Sequence, residues 1–221
     1  MGIFLQARLN STRLPGKALL PLAGAAVVQH AMRALRQVEA EVHAVLTEPR
    51  STRALEPLAA AEGFDLFAGP EEDVLERFCL AARRFRVGRV VRATGDNPLV
   101  SAVQVRALLD LHRAAGWQLS HFLGLPLGTG VEVVEAEALE AANRDSSDPF
   151  EHEHITTFLH RHPEQFRIGK PPCPEAWHCP EARVTLDTNE DYELLQKVFR
   201  DLYRGEPIEL EALVAWLRRT R

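Results

Sequence analysis

Short runs of β-forming residues alternate with longer runs of helical apolar spacing along most of this 221-residue chain. The predicted strands are Gly2–Ala7, Val42–Thr47, Phe64–Phe67, Arg89–Ala93, Val131–Val134 and Arg183–Leu186. The predicted helices are Val27–Val38, Ser51–Glu62, Glu71–Phe85, Val103–Ala114, Ala136–Asn143, Glu151–His160, Glu190–Tyr203 and Leu210–Arg218. Four strand–helix units in succession predict an α/β fold, a mostly parallel sheet with helices on both faces.

The alternation continues without a linker, an internal repeat or a low-complexity tract, so we predict one domain over residues 1–221. The proline-rich segment 170–180 is predicted to be a long loop inside that domain. Ligands of open parallel sheets bind at the carboxyl ends of the strands. The loops that follow the strands are therefore the places to look for chemistry.

Composition narrows the classes of partner. A net charge of −5 argues against a protein that binds nucleic acid by broad charge attraction. The N-terminal residues turn polar too soon for a signal peptide, and the longest uncharged run, residues 18–32, is shorter than the ~20 residues of a membrane helix. Three cysteines give no disulfide framework and suit a reducing compartment. We expect a cytoplasmic protein without a membrane or nucleic-acid partner.

The loop after the first strand concentrates polar chemistry. Residues 8–17 contain the cations Arg8, Arg13 and Lys17 together with Asn10 and Ser11. Cations and free backbone N–H groups on a flexible loop suit a triphosphate, although the spacing is not that of a Walker A loop. A solvated basic turn has the same composition, and composition alone slightly favours that interpretation.

Two later strands each end in an aspartate, Asp96 and Asp187. A carboxylate at a strand end that faces a phosphate-binding loop is a natural Mg²⁺ ligand. Turn formation at Asp96 and helix capping near Asp187 are the alternatives. If the two share a metal, their carboxylates converge. Two uncompensated carboxylates repel each other, so we expect Asp96→Asn or Asp187→Asn to leave the melting temperature unchanged or to raise it.

Histidines and cysteines crowd the stretch 152–179, which raises the possibility of a zinc site. The stretch has no C-x-x-C pair and no H-E-x-x-H motif, so a helix surface with scattered histidines is favoured. Cys79 is predicted to belong to the core. Arg77 lies one turn after the acidic run 71–73. The sequence supports a nucleotide contact and a purely structural role for Arg77 equally.

Several segments together resemble the sugar cytidylyltransferases, and above all the branch named for spore-coat polysaccharide synthesis protein F. The segments that carry the resemblance are Gln6–Lys17, Gly69–Arg77, Arg92–Pro98, Gly128–Val133, Glu153–Thr156 and Thr185–Thr188. The resemblance implies a Rossmann-like three-layer nucleotidyltransferase fold, with CTP and Mg²⁺ as partners. It also implies transfer of CMP to a sugar or sugar-acid hydroxyl, with release of pyrophosphate.

The loops and the resemblance together suggest a role for each candidate residue. The expected catalytic residues are Arg8, Lys17 and Asp96, and the expected metal ligands are Asp96 and Asp187. The expected nucleotide-binding residues are Arg8, Asn10, Ser11, Arg13, Lys17, Arg77 and Thr94. The expected sugar-binding residues are Glu132, Glu153 and His154.

The sugar and the assembly stay open at this point, with a homodimer as one possible assembly. The octulosonate enzymes have Gln-Gly-Asp-Glu-Pro where this chain has Thr-Gly-Asp-Asn-Pro at 94–98, and the acylneuraminate enzymes lack the Thr-Arg-Leu-Pro of residues 12–15. A metal-dependent nucleotide-sugar glycosyltransferase is the first alternative, although Asp96-Asn97 lacks the second acid of an Asp-x-Asp motif. A non-catalytic binding module is the second.

Overall fold

The computed structural model describes residues 1–11 and 13–220, so Thr12 of the basic loop and Arg221 lie outside the described residues. The strands are β1 (Gly2–Gln6), β2 (Pro21–Leu22), β3 (Ala25–Ala26), β4 (Val42–Thr47), β5 (Asp65–Ala68), β6 (Arg89–Thr94), β7 (Leu119–Ser120), β8 (Glu132–Glu135) and β9 (Ile168–Gly169). The α-helices are α1 (Val27–Arg36), α2 (Thr52–Ala61), α3 (Val74–Phe85), α4 (Ala102–Ala115), α5 (Ala136–Asp145), α6 (Pro149–Glu153), α7 (Thr157–Arg161), α8 (Asn189–Leu202) and α9 (Leu210–Thr220).

Seven strands form the central sheet in the order β5-β4-β1-β6-β8-β7-β9. The strands of the four predicted strand–helix units, β1, β4, β5 and β6, pair in parallel, which confirms the predicted parallel sheet. Strand β8 is antiparallel to both of its neighbours, and β9 is parallel to β7. Thus β8 alone among the seven runs against the others.

Helices cover both faces of the sheet because successive side chains of its strands point to opposite sides. In β1, Ile3 and Leu5 belong to one apolar cluster, shared with α1, α2, α4, α8 and α9. Phe4 between them belongs to the other cluster, shared with α3, α5 and α7. Since both faces are buried, the strand is continuously apolar, and each fully buried large side chain contributes ~1.5–3 kcal/mol. The expected three-layer architecture is confirmed.

The predicted strand Arg183–Leu186 is wrong. That segment forms a single bridge, Leu127 to Arg183, and otherwise runs as an extended loop. The predicted helix Glu151–His160 is two short helices, α6 and α7. The β-branched run Ile155-Thr156-Thr157 at the break lowers helix propensity, which accounts for the interruption.

Helix α3 begins at Val74 rather than at Glu71, because Asp73 caps it by accepting a hydrogen bond from the Glu76 amide at 2.8 Å. Sequence analysis did not predict strands β7 and β9, because each has two residues and so few residues show no hydrophobic periodicity. Within the described residues, every helix is too short or too polar to cross a bilayer.

The loops after β1 and β6 lie side by side at the carboxyl edge of the sheet. The Gly95 amide donates to the Gln6 carbonyl oxygen at 2.8 Å, which continues the β1–β6 pairing past the end of β6. A Cβ at Gly95 would lie 2.9 Å from the Cβ of Ala7 and 3.2 Å from Val28. Glycine at 95 therefore allows the basic loop and the Asp96 loop to approach each other.

Candidate active site

A buried polar network fixes the start of the basic loop. The Leu9 amide donates to Ser51 Oγ at 3.2 Å, and Ser51 in turn donates to the buried carboxylate of Glu48. Farther along, the Gly16 amide donates to the Leu9 carbonyl oxygen at 2.9 Å, with Gly16 in the left-handed region at φ 68°. The loop thus folds back on itself and directs its polar side chains to the carboxyl edge of the sheet.

A cavity of about 510 Å³, here called the cation-lined cavity, opens between the basic loop and the two aspartates Asp96 and Asp187. Its lining residues are Gln6, Ala7, Arg8, Asn10, Ser11, Arg13, Lys17, Ala18, Thr94, Gly95, Asp96, Glu153 and Asp187. Three cations and three carboxylates of the lining balance one another. The cavity is therefore charge-neutral overall while it offers both signs to a ligand.

Lys17 joins the two aspartates. Its Nζ lies 2.5 Å from Asp96 Oδ2 and 2.8 Å from Asp187 Oδ1. Arg13 donates to Asp187 Oδ1 at 3.0 Å, and Arg183 pairs with the other oxygen. Burial acts to raise the pKa of Asp187, but the hydrogen bonds from Lys17 and Arg183 outweigh it and lower the pKa. Asp187 is therefore held as a carboxylate.

The two aspartates converge as expected, but they are not uncompensated. Lys17 pairs with both, and Arg13 and Arg183 add positive charge at Asp187. The expectation that Asp187→Asn leaves stability unchanged or raises it rested on repulsion between bare carboxylates. The ion pairs remove that premise and reverse the expected sign.

Backbone pairing brings Asp187 to its place without a strand. The Val184 amide donates to the Leu127 carbonyl oxygen at 2.7 Å, and the Leu186 amide donates to that of Asp96 at 2.9 Å. Thr188 then caps α8 in a capping box with Asp191. Asp187 is the last residue before that cap, so the extended segment and the helix start fix it from both sides.

The carboxylate oxygens of Asp96 and Asp187 are suitable ligands for a divalent cation. Asp96 and Asp187 offer carboxylate oxygens toward one shared positive group, and oxygen is the ligand type that Mg²⁺ and Mn²⁺ take. The pair thus passes the test of ligand type and convergence.

Other predicted nucleotide contacts also line this cavity. Asn10, Ser11 and Thr94 do so, and Asn10 Nδ2 donates to Glu71 at 3.2 Å. Arg8 pairs at 3.2 Å with Glu153, and both side chains are nearly half exposed at the rim. Glu153, expected to bind the sugar, therefore lies at the rim of the cation-lined cavity.

Arg77 contradicts its predicted nucleotide role. Its side chain is 1% exposed and donates to the carbonyl oxygens of Pro70, at 2.9 and 2.5 Å, and Glu71, at 2.9 Å. Burial lowers the pKa of the guanidinium, which the nearby carboxylates of Glu48 and Asp73 partly oppose. Arg77 holds the turn before α3 in place and does not face the cation-lined cavity. Cys79 on the same helix is fully buried with a pKa raised by burial to about 12, which confirms its core position.

His154 also departs from its prediction. It is exposed, packs its ring on Phe150 at 4.4 Å between centroids, and does not line the cation-lined cavity. The short helix α6 ends at Glu153, and His154 turns outward at that point.

A second cavity of about 360 Å³, here called the histidine-lined cavity, adjoins the first. Its lining residues are Arg92, Ala93, Thr94, Asn97, His121, Phe122, Leu125, Pro126, Leu127, Gly128, Gly130, Val131, Glu132 and His160. Thr94 at the end of β6 belongs to both cavities. A ligand in one therefore lies next to a ligand in the other.

Glu132 is the centre of the polar groups in the second cavity. Arg92 Nη1 donates to its Oε2 at 2.8 Å, Thr156 donates at 3.1 and 3.2 Å, and His160 Nε2 lies 3.8 Å away. Burial favours the neutral acid, but the charge of Arg92 and the imidazole of His160 lower the pKa of Glu132 to about 2. Burial also lowers the pKa of His121, which favours its neutral form.

Sequence reasoning missed His121 as a site residue and took His160 for a surface histidine. Their rings meet at 5.5 Å, and one ligand atom each of His121, Glu132 and His160 lies within 4.8 Å of the others. Of the histidines and cysteines in 152–179, His160 is the member of this group. His121 follows the two-residue strand β7, so no sequence pattern marked it as a strand-end residue.

Comparisons with known proteins agree with this geometry. Residues 3–213 match the family model described as cytidylyltransferase. The spore coat polysaccharide biosynthesis protein SpsF of Bacillus subtilis is 32% identical, over 97% of this chain and 92% of that protein. A cytidylyltransferase from Leptospira borgpetersenii superposes with a TM-score of 0.92 at 26% identity, covering 99% of this chain and 94% of that one.

A more distant solved structure shares the fold. CMP:2-keto-3-deoxy-manno-octonic acid synthetase, in complex with CTP, superposes with a TM-score of 0.70 at 17% identity. The match covers 90% of this chain and 98% of that one. The resemblance read from the sequence motifs is confirmed at the level of family and fold.

Proposed function

The chain belongs to the cytidylyltransferase family, and from that premise we propose that it transfers CMP from CTP to a sugar hydroxyl for surface polysaccharide synthesis. One observation carries the proposal. Arg8, Arg13 and Lys17 of one loop meet the carboxylates of Asp96 and Asp187 in one cavity, beside a second cavity lined by polar side chains. The cytidine base and the polysaccharide context come from the relatives, namely the CTP complex and the spore coat protein.

The cation-lined cavity is the proposed triphosphate site. Arg8, Arg13 and Lys17 are each paired with a carboxylate in this structure. These carboxylates reduce the repulsion among the three positive side chains before the nucleotide binds. Phosphate oxygens replace those carboxylates as partners when the nucleotide enters. Charge-assisted contacts of this kind are among the strong hydrogen bonds of proteins.

Asp96 and Asp187 are the proposed holders of a divalent metal ion, with Mg²⁺ as the expected ion. When bound, such an ion neutralises negative charge on the phosphates. If Lys17 turned to the phosphates, the two carboxylates would lose it as a partner and would be free to hold the metal ion, whose charge would compensate theirs. Nucleotide and metal binding are therefore expected to be mutually dependent.

The proposed place of the acceptor is the histidine-lined cavity, because Thr94 lines both cavities and an acceptor there would lie next to the nucleotide. The acceptor oxygen forms a bond to the α-phosphorus, the bond from that phosphorus to the pyrophosphate oxygen breaks, and the acceptor proton leaves to solvent. This direct transfer needs little covalent participation by the protein. Positioning of the two substrates and neutralisation of the leaving phosphates supply the catalysis.

A pyrophosphate-release assay tests the proposal. The protein with Mg²⁺ and a panel of sugars is given CTP, UTP, GTP or ATP in turn, and pyrophosphate release that needs both CTP and a sugar is expected. If pyrophosphate is released equally well from CTP and from another nucleoside triphosphate, the proposed selectivity for cytidine is wrong. Thermal stabilisation by UDP-sugars but not by CTP, with no pyrophosphate released, contradicts it and favours a glycosyltransferase.

A further inference from the structure

We propose that Arg183 is a positioning residue of the metal site, which holds the Asp187 carboxylate so that one of its oxygens stays available to the divalent ion. The inference rests on the proposed function, because a metal ion held by Asp96 and Asp187 belongs to that proposal. It is carried by the way the two oxygens of Asp187 divide their partners and by the bonds between Arg183 and Asp191.

The two carboxylate oxygens of Asp187 have different partners. Oδ1 accepts from Lys17 at 2.8 Å and from Arg13 at 3.0 Å, and both of these cations line the cation-lined cavity. Oδ2 accepts from Arg183, which is absent from the described lining of that cavity. Arg183 lines instead a separate cavity of about 360 Å³ with side chains of α8 and α9. If Lys17 and Arg13 turned to the phosphates of a nucleotide, Arg183 would remain the partner of Asp187.

The extended segment before α8 explains why Arg183 and Asp187 meet. Alternate residues of an extended chain point to the same side. Val184 and Leu186 are buried in the apolar core, so Arg183 and Asp187 share the opposite side. The long arginine side chain spans the four-residue separation and pairs with the carboxylate. The pair is therefore a direct product of the backbone path that also brings Asp187 beside Asp96.

Asp191 fixes the Arg183 side chain from the first turn of α8. Arg183 Nε donates to Asp191 Oδ1 at 3.2 Å, and its Nη2 donates to Oδ2 at 3.3 Å. The same Oδ2 accepts from the backbone amides of Asp187, at 2.8 Å, and Thr188, at 3.0 Å. Asp191 thus holds the backbone of Asp187 directly and its carboxylate through Arg183. Both aspartate side chains are only 12% exposed, so solvent competes little for these bonds.

The guanidinium suits this role better than a point charge does. It is planar and presents its N–H groups in fixed directions, so bonds to two carboxylates set their relative orientation. Groups that hydrogen-bond to a metal-ligating carboxylate orient it, and their loss typically lowers metal affinity by about 10–100-fold. Without Arg183, the Asp187 carboxylate can rotate and offer both oxygens to Lys17 and Arg13. Those cations then compete with a metal ion more strongly.

The alternative is that Arg183 only fastens the extended segment to α8. Its bonds to Asp187 and Asp191 then contribute to stability and have no specific effect at the metal site. In that case, the loss of Arg183 lowers the melting temperature and weakens CTP binding by the same factor with and without a divalent ion. A measurement of CTP affinity under both conditions therefore separates positioning from packing.

Calorimetric titration of CTP without an acceptor measures the effect of the metal in the absence of turnover. The Kd for CTP without a divalent ion, divided by the Kd with saturating Mn²⁺, is here called the metal gain. We expect Arg183→Ala to lower the metal gain by about tenfold, while its Kd without metal stays within about threefold of the wild-type value. A wild-type metal gain in this variant, or equal weakening under both conditions, overturns the inference and leaves the proposed CMP transfer standing. A wild type whose CTP affinity does not depend on Mn²⁺ overturns the proposed metal site and the inference with it.

Two further arginine variants complete the test. Arg200→Ala is the matched control, because Arg200 is an exposed arginine of α8 that pairs with its chain neighbour Asp201, and its metal gain should equal that of the wild type. Arg183→Lys keeps the charge but loses the planar fork, so its metal gain should stay at least about threefold below the wild-type value. Full recovery in Arg183→Lys would show that charge alone acts and would overturn the positioning role. If Arg183→Ala fails to fold in thermal melts, Arg183→Gln takes its place with the same expected loss.

Discussion

The backbone amide of Leu186 donates a 2.9 Å hydrogen bond to the carbonyl oxygen of Asp96. The bond joins two loops that lie 90 residues apart in sequence, and it sets Asp187 beside Asp96 without any side-chain contact between them. Lys17 then bridges the two carboxylates. The relative position of the aspartates therefore depends on the backbone path of residues 182–187, which packs against residues 127 and 128.

Gly128→Ala is expected to disrupt that path. A Cβ at Gly128 would lie 2.4 Å from the Thr185 amide nitrogen, and its φ of 103° is unfavourable for an L side chain. Thermal melts should show a large loss of stability, on the order of 3 kcal/mol or more, and turnover should fall with it. Gly130→Ala is the matched control, since its nearest contact would be an ordinary 3.6 Å. Equal stability of the two variants would contradict this account of the loop.

Lys17→Ala and Arg13→Ala are each expected to weaken CTP affinity by more than about tenfold, because a charge-assisted phosphate contact contributes ~1.5–3 kcal/mol. Calorimetric titration with CTP and Mg²⁺ gives the comparison. Lys197→Ala, on the exposed side of α8, is the control and should bind as the wild type does. If both loop variants bind CTP with wild-type affinity, the assignment of the cation-lined cavity as the triphosphate site is wrong.

Asp96→Asn and Asp187→Asn are each expected to abolish detectable turnover with Mg²⁺, since both carboxylates are proposed metal holders. Asp187→Asn should also lower the metal-free melting temperature, because it breaks ion pairs with Lys17, Arg13 and Arg183. Asp110→Asn, at an 80% exposed side chain of α4, is the control. A raised melting temperature for Asp187→Asn would show that repulsion, not pairing, dominates in the empty site.

The sequence predicted what periodicity and strand-end position encode. The four parallel strand–helix units and the meeting of the Arg8–Lys17 loop with Asp96 follow from the rule that parallel strands end at one edge. Asp187 reaches the same edge from an extended loop, held by backbone bonds to Leu127 and Asp96, and not from the predicted strand. Arg77 was ambiguous because local spacing cannot distinguish a cation that faces a ligand from one that binds carbonyl oxygens inside the fold. His121 and His160 lie on separate short elements, and only the tertiary structure brings them to Glu132.

Glu132 gives a prediction for the acid dependence of stability. Its pKa of about 2 in the folded protein lies below the ~4.3 of an unfolded glutamate, so its contribution is present above the unfolded value and is lost as the pH falls toward 2. The shift corresponds to roughly 3 kcal/mol at pH 7 and to about half of that at pH 3. Glu132→Gln lacks this contribution at every pH and leaves Arg92 without its partner.

Urea unfolding at pH 7 and pH 3 measures the effect. The difference in free energy of unfolding between the wild type and Glu132→Gln should narrow by about 1–2 kcal/mol as the pH falls, because the wild-type carboxylate becomes protonated during unfolding. Glu56→Gln, at an exposed position of α2, controls for the loss of any one acid from the surface. A difference that stays constant from pH 7 to pH 3 would mean that Glu132 does not depend on the charge of Arg92.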